Sequence, residues 1–284
     1  MSDGQVAAMT VPRMASPTAP QGHLFFHALP SLPAFGAFIY VPNAGIRDAR
    51  AMVLVHGITR NAAEHALRFV PFAEQHQTCL IAPLFARAIF PRYQTLMRRD
   101  RSCAAPEDAM DALLADIQQR FSLDLSTLHG FGFSGGAQFM HRYAMRKPAH
   151  FRRVVVAAAG WYTFPDASAP YPRGIGGNAP PCIGKQLPAF LRLPMRVIVG
   201  SRDNQSDAAL NQNPEILRQQ GRTRVGRGKA FVHALHAKAD ALGLTCGAEF
   251  VRLRGAGHDF SDAMARHGLG EETIAFLFPD GDEA

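Results

Sequence analysis

The sequence lacks the features that mark several large classes of protein. No run of 18 apolar residues occurs among its 284, so a hydrophobic membrane-spanning helix is not expected. Cysteine is scarce: Cys79, Cys103, Cys182 and Cys246 lie far apart, with no Cys-x-x-Cys pair and no cysteine–histidine cluster at zinc spacing. No metal site is therefore expected. Cys79 and Cys246 sit in or beside apolar runs and read as small core residues. Cys103 and Cys182 could pair, but free thiols in a reducing compartment are the expectation. Basic residues outnumber acidic ones by 30 to 23, for a formal net charge of +7, yet no block of five or six Lys or Arg occurs. Charge scattered in this way argues for an ordinary basic protein with neither a nucleic-acid nor a membrane partner. The first twenty residues show no basic start followed by an unbroken apolar stretch. No signal peptide is expected, and the cytoplasm is the expected location.

What is present points to a compact enzyme. Hydrophobic residues make up 47% of the chain and charged residues 19%, a composition that supports a large buried core. Residues 1–21, with Pro12, Pro17 and Pro20 among small residues, read as a disordered tail, and 22–284 as a single domain without linker or repeat. Within it, short β-rich runs alternate with helical ones, the pattern of an α/β fold with a mostly parallel sheet. Eight strands are predicted at His23–Leu29, Phe35–Val41, Ala51–Val55, Thr78–Ala82, Leu128–Phe133, Arg153–Ala158, Met195–Val199 and Glu249–Leu253. Several, such as Val154-Val155-Val156, are continuously apolar, as strands buried on both faces must be; the first two suit an antiparallel edge. Helices are predicted from Pro106 through Phe121, from Gly135 to about Arg146, and from Gly228 to about Leu242. Arg142, Arg146 and Lys147 would complement the C-terminal dipole of the second. The Gly- and Pro-rich stretch 160–194 reads as irregular loop of the kind that rims or covers active sites.

Four loops at strand ends carry the chemistry. Leu128 to Phe133 is a strand, Ser134 the corner and Gly135 the start of a helix. A turn this sharp strains its central residue, raises the serine hydroxyl clear of the sheet, and leaves room only for small residues at Gly132 and Gly136. The Gly135 amide then stands at a helix N-terminus, where an oxyanion would be stabilised. A second donor is expected where the buried strand ending at Val55 breaks at His56-Gly57; Gly57 would permit the turn, and the amide of Ile58 or Thr59 would face the pocket. Among twelve histidines His258 is the candidate base, because it follows the last strand on the loop freed by Gly255-Ala256-Gly257. Asp203, after the strand Met195–Val199, is the candidate acid that would orient it, with Asp207 as the alternative. His56, Thr59, Phe133, Trp161, Tyr162, Phe164 and Phe85 either line the substrate pocket or pack in the core.

In this order and placement the sequence resembles the α/β-hydrolase superfamily over roughly residues 23–279. Within it, Val55-His56-Gly57-Ile58-Thr59-Arg60-Asn61-Ala62, Gly132-Phe133-Ser134-Gly135-Gly136-Ala137-Gln138-Phe139 and Ala159-Gly160-Trp161-Tyr162-Thr163 resemble segments of poly(3-hydroxybutyrate) depolymerase-like esterases. The resemblance implies an acyl-enzyme mechanism on Ser134, Asp203 and His258, without metal or organic cofactor, acting on a carboxylic ester. The absence of a visible export signal and of a separate binding module favours a small soluble ester or oligomer, handled by a monomer or homodimer. The same triad would serve amide, thioester or lactone hydrolysis or acyl transfer, and a non-catalytic binding module is the alternative of another class. The stretch from Ser201 to the last strand, with its basic segment Arg218 to Lys229, reads as a solvated insertion or a substrate-gating cap.

Overall fold

The computed structural model describes residues 19–47, 50–98, 100, 103–205 and 210–279. Apolar runs too continuous for a half-exposed sheet become its centre: β3 (Ala51–Val55), β4 (Cys79–Pro83) and β5 (Leu128–Phe133) are buried along their whole lengths. With β1 (Leu24–Leu29), β2 (Leu32–Tyr40), β6 (Phe151–Ala157), β7 (Met195–Gly200) and β8 (Ala248–Leu253) they form one eight-stranded sheet. Its order is β1-β2-β4-β3-β5-β6-β7-β8. Strand β2 runs antiparallel to β1 and β4, and all other pairs are parallel. The expected antiparallel edge and parallel centre are both present. Of the expected tail, residues 1–18 lie outside the described residues, and Gln21 bridges Val41.

Helices cover both faces of the sheet. On one face lie α2 (Pro106–Phe121), α3 (Gly135–Arg146), α4 (Pro181–Arg192) and α6 (Arg224–Ala241), contributing Leu113, Phe139, Leu187 and Phe231 to the larger core. On the other lie α1 (Ala62–His76), α7 (Phe260–Arg266) and α8 (Leu269–Leu277), with Phe69, Phe260 and Ile274. A short α5 (Pro214–Gln220) precedes α6. Among the described residues no helix is long and apolar enough to cross a membrane. All four cysteines are free, so Cys103 and Cys182 do not pair.

Four expectations change. The stretch 160–194 is irregular only in its first half. Residues 181–192 form α4, because Pro181 sits in the first turn, where its missing N–H is harmless, and Ile183, Leu187, Phe190 and Leu191 bury one face. Helix α6 starts four residues earlier than expected, at Arg224, where the Thr223 side chain accepts from the Gly226 amide. The basic segment is solvated only in part: Arg218, Arg222 and Lys229 are exposed, but Arg224 and Arg227 are fully buried. Arg142 does not serve the end of α3 either; it is buried under Trp161, its guanidinium 4.3 Å from the ring. Arg146 and Lys147 turn to Glu107 and Asp111 of α2.

Candidate active site

Strand β5 delivers Ser134 to the C-terminal edge of the sheet, and α3 leaves at once in the opposite sense. Ser134 takes φ 54° and ψ −111°, a conformation that is strained for any residue with a side chain. The turn survives because its neighbours are minimal. A Cβ on Gly132 would lie 2.3 Å from the Gly136 carbonyl oxygen, and one on Gly136 would lie 1.9 Å from that of Val55. Both obstacles are backbone and cannot yield. The Ser134 amide donates to Ala157 O at 2.8 Å, tying the corner to β6.

The loops after β7 and β8 bring the partners. Ser134 Oγ lies 3.1 Å from His258 Nε2, and His258 Nδ1 lies 2.7 Å from Asp203 Oδ2. A carboxylate accepts only, so Nδ1 carries the ring proton and Nε2 offers its lone pair to the serine hydroxyl. The Phe133 ring packs against His258 at a centroid distance of 5.4 Å and limits its swing. Asp203 is 4% exposed, a placement that would be costly for an isolated carboxylate. Arg224 Nη1 supplies the countercharge, donating to Asp203 Oδ1 at 3.0 Å, with both side chains almost wholly buried. Asp207, the alternative acid, lies outside the described residues.

The turn after β3 adjoins the serine. A Cβ on Gly135 would fall 3.3 Å from the Ile58 nitrogen, so the Ile58 turn packs directly against the start of α3. Among the described residues, neither the Ile58 nor the Gly135 amide donates to another protein group. Gly57 is not needed for its backbone freedom as expected: the left-handed residue of this turn is Arg60, at φ 63°. His56 is no pocket residue. It is fully buried, its Nε2 accepts the Phe85 amide at 3.0 Å, and its Nδ1 donates to Gly57 O at 2.7 Å. Burial pushes its pKa down to about 4, which keeps the ring neutral and able to accept. Tyr93 completes the brace, its hydroxyl donating to His56 O at 2.6 Å.

Above Ser134 opens a cavity of about 320 Å³. Of the expected pocket residues, Thr59 and Phe133 line it, with Ile58 at its edge. Tyr162 does not: it is fully buried and stacks on Phe231, 4.4 Å between centroids. Phe164 packs against the same ring, and Phe85 lies among Phe35, Phe90, Tyr93 and Phe139. Trp161 lines a separate shallow cleft with Tyr171, Arg173 and Glu215. The cavity instead recruits residues to which the sequence assigned no part: Gln138 from α3, His65 from α1, Arg224 from α6 and Phe260 from α7. Gln138 stands inside the motif that carries the family resemblance, four residues after the serine. That spacing is one helical turn, and it is the single signal that could have found it.

Among the described residues, no group of three or more His, Cys, Asp or Glu is placed to hold a metal ion. No protein-family model and no curated protein sequence matches the chain. Solved structures do. LpqC, a poly(3-hydroxybutyrate) depolymerase from Bordetella parapertussis, is 27% identical with a TM-score of 0.75, covering 90% of this chain and 91% of its own. Poly(aspartic acid) hydrolase-1 from Sphingomonas sp. KT-1 is 26% identical with a TM-score of 0.73, over 84% and 94%. An S-formylglutathione hydrolase from Agrobacterium tumefaciens, at 15% identity and a TM-score of 0.60 over 89% and 94%, shares the fold. The protein thus has the α/β-hydrolase fold and is similar in structure to a poly(3-hydroxybutyrate) depolymerase and to other hydrolases built on that fold.

Proposed function

We propose that the protein is a serine hydrolase that cleaves carboxylic esters through an acyl-enzyme on Ser134. The observation that carries the reading is the continuous relay from Ser134 Oγ to His258 Nε2 at 3.1 Å and from His258 Nδ1 to Asp203 Oδ2 at 2.7 Å. Its likeness to a poly(3-hydroxybutyrate) depolymerase supports an ester as the scissile bond. His258 takes the hydroxyl proton as Ser134 Oγ attacks the ester carbonyl carbon. The tetrahedral oxyanion accepts from the Gly135 and Ile58 amides; each such donor is worth roughly 3 kcal/mol in the transition state. His258 then hands its proton to the departing alcohol, and water repeats the sequence to release the acid. A cavity of about 320 Å³ is at the small end of ligand sites and suits a small ester or one end of an oligomer. Four free cysteines are in keeping with a cytoplasmic setting.

A fluorophosphonate should add its mass to the Ser134 peptide of the native protein, and Ser134→Ala should lower kcat by about 10⁶. An unlabelled serine in folded protein would end this reading. Amide hydrolysis on the same groups is the second reading, favoured by the likeness to a poly(aspartic acid) hydrolase. Matched ester and amide pairs sharing one acyl group separate the two.

A further inference from the structure

Gln138 meets the cavity above Ser134 with one end only. Its side chain is 8% exposed and lines the cavity, and its Oε1 is turned inward and sealed from solvent, so the end that reaches open space is the Nε2 amide. That end carries two N–H groups and no acceptor. Its place is fixed through the backbone. The Gln138 N–H donates to Ser134 O at 3.1 Å, one helical turn beyond the nucleophile, and Gln138 O accepts from the buried Arg142 Nη1 at 3.1 Å. Across from the amide stands Gly160. Glycine costs backbone entropy on folding and is demanded where φ is positive or another backbone comes close. Gly160 meets neither condition. Its φ is not positive, and apart from its chain neighbours the atoms within 4 Å of a Cβ built there are Gln138 Nε2 at 3.1 Å and Leu210 Cδ1 at 4.0 Å. A side chain at 160 would press on the Gln138 amide and cover it. Gly160 is itself held in place, its carbonyl accepting from the buried Arg227 Nη1 at 2.6 Å.

We propose that the Gln138 amide, left uncovered by Gly160, selects esters that carry a second carbonyl, whose oxygen accepts a hydrogen bond from Nε2. The inference rests on the acyl-enzyme reading and deepens it by naming a substrate class: keto esters, diesters and ester amides. A ligand that fills this space without an acceptor strips water from the donor and returns nothing, whereas a carbonyl oxygen takes the place of that water. A site that meets a polar group in this way discriminates against the isostere lacking it. The acceptor is neutral. Arg224, the cation in the cavity wall, is paired with Asp203, and the exposed Asp259 carboxylate at the rim opposes a second anion.

The test uses two pairs of substrates, one of p-nitrophenyl acyl esters and one of alkyl acetates. In each pair a ketone C=O on the variable chain is replaced by C=CH2, which keeps the shape and removes the acceptor. Each kcat/KM is divided by the hydroxide rate constant of the same ester, which cancels inductive differences. The ketone of at least one pair should be preferred about tenfold, and the pair that responds tells whether the acyl or the alcohol group carries the carbonyl. Apolar contact with Phe133 and Phe260 alone would favour the alkene, so the sign of the preference is decisive. Gln138→Met removes the donor at similar volume, and Gly160→Ala crowds it from the facing wall; in both the ratio should fall toward one. A general disturbance of the site would slow both members of a pair and leave their ratio unchanged. A ratio at or below one for both pairs in the unmodified protein would overturn the proposal. So would a ketone preference that persists undiminished in either variant. Failure of the acyl-enzyme reading is distinct: fluorophosphonate would leave Ser134 unlabelled, no ester of either pair would turn over, and this inference would fall with it.

Discussion

Ser134 and His258 meet across 3.1 Å, yet opposite means hold them there. The serine side is made of backbone. Its corner is positioned by glycines that let α3, β3 and β5 close to contact, by one backbone hydrogen bond to β6, and by a neutral brace of His56 and Tyr93. The acid side is made of charge. Asp203 and His258 sit on loops after β7 and β8 and depend on a buried guanidinium carried in from α6. Close packing of backbone tolerates no substitution and responds little to the solvent. A buried ion pair tolerates no loss of one partner, because the other is then stranded.

The largest effect should come from breaking the backbone side. Gly136→Ala places a methyl group on the Val55 carbonyl, and the expected result is loss of cooperative thermal unfolding together with fluorophosphonate labelling. A soluble, labelled variant would show that the corner has slack. Next is the charged side. Arg224→Met leaves Asp203 buried with His258 as its one remaining side-chain partner among the described residues, and should cost about 3 to 5 kcal/mol in a denaturant titration, with a marked fall in kcat. Unaltered stability would mean that the pair contributes nothing net. A smaller effect is expected from Tyr93→Phe, which removes the donor to His56 O. Roughly a tenfold drop in kcat at similar KM would mark it as positioning the Ile58 turn, and a pure stability loss would not.

The smallest contrast is in pH. His129 is buried beside Phe278, and burial pushes its pKa down to about 4 from the usual 6.5. The unfolded chain therefore binds a proton that the folded one refuses. Stability is fully present above pH 6.5 and lost as pH falls toward 4, with His56 and His65 acting in the same sense. Unfolding free energies between pH 7 and 4 should decline, and His129→Leu should make that slope shallower. An unchanged slope would contradict the neutral buried ring.

This division also explains what could be read from one sequence. Elements set by local rules were legible: the continuous apolar strands, the Gly132–Gly136 elbow, and the placing of Ser134, Asp203 and His258 after β5, β7 and β8. What failed depends on contacts distant in the chain. Nothing local says that Arg224 turns inward to meet Asp203, or that Tyr162 packs on Phe231 while Gln138 reaches the cavity. A basic helix face reads as solvated until the fold supplies the buried acceptors that make it structural. The Gly- and Pro-rich composition of 160–194 likewise hid α4, whose Pro181 sits in the first turn.

Arg224 and Arg227 lie three residues apart on α6, on one helical face. The first donates to Asp203, while the second donates to Gly160 O at 2.6 Å, at the cavity wall. One turn of helix therefore acts as a ruler between the Ser134–His258–Asp203 geometry and pocket shape. A shift in how deeply α6 seats would move both at once. Remodelling this helix to widen the pocket would disturb both contacts, whereas changes on α1 leave the ruler in place.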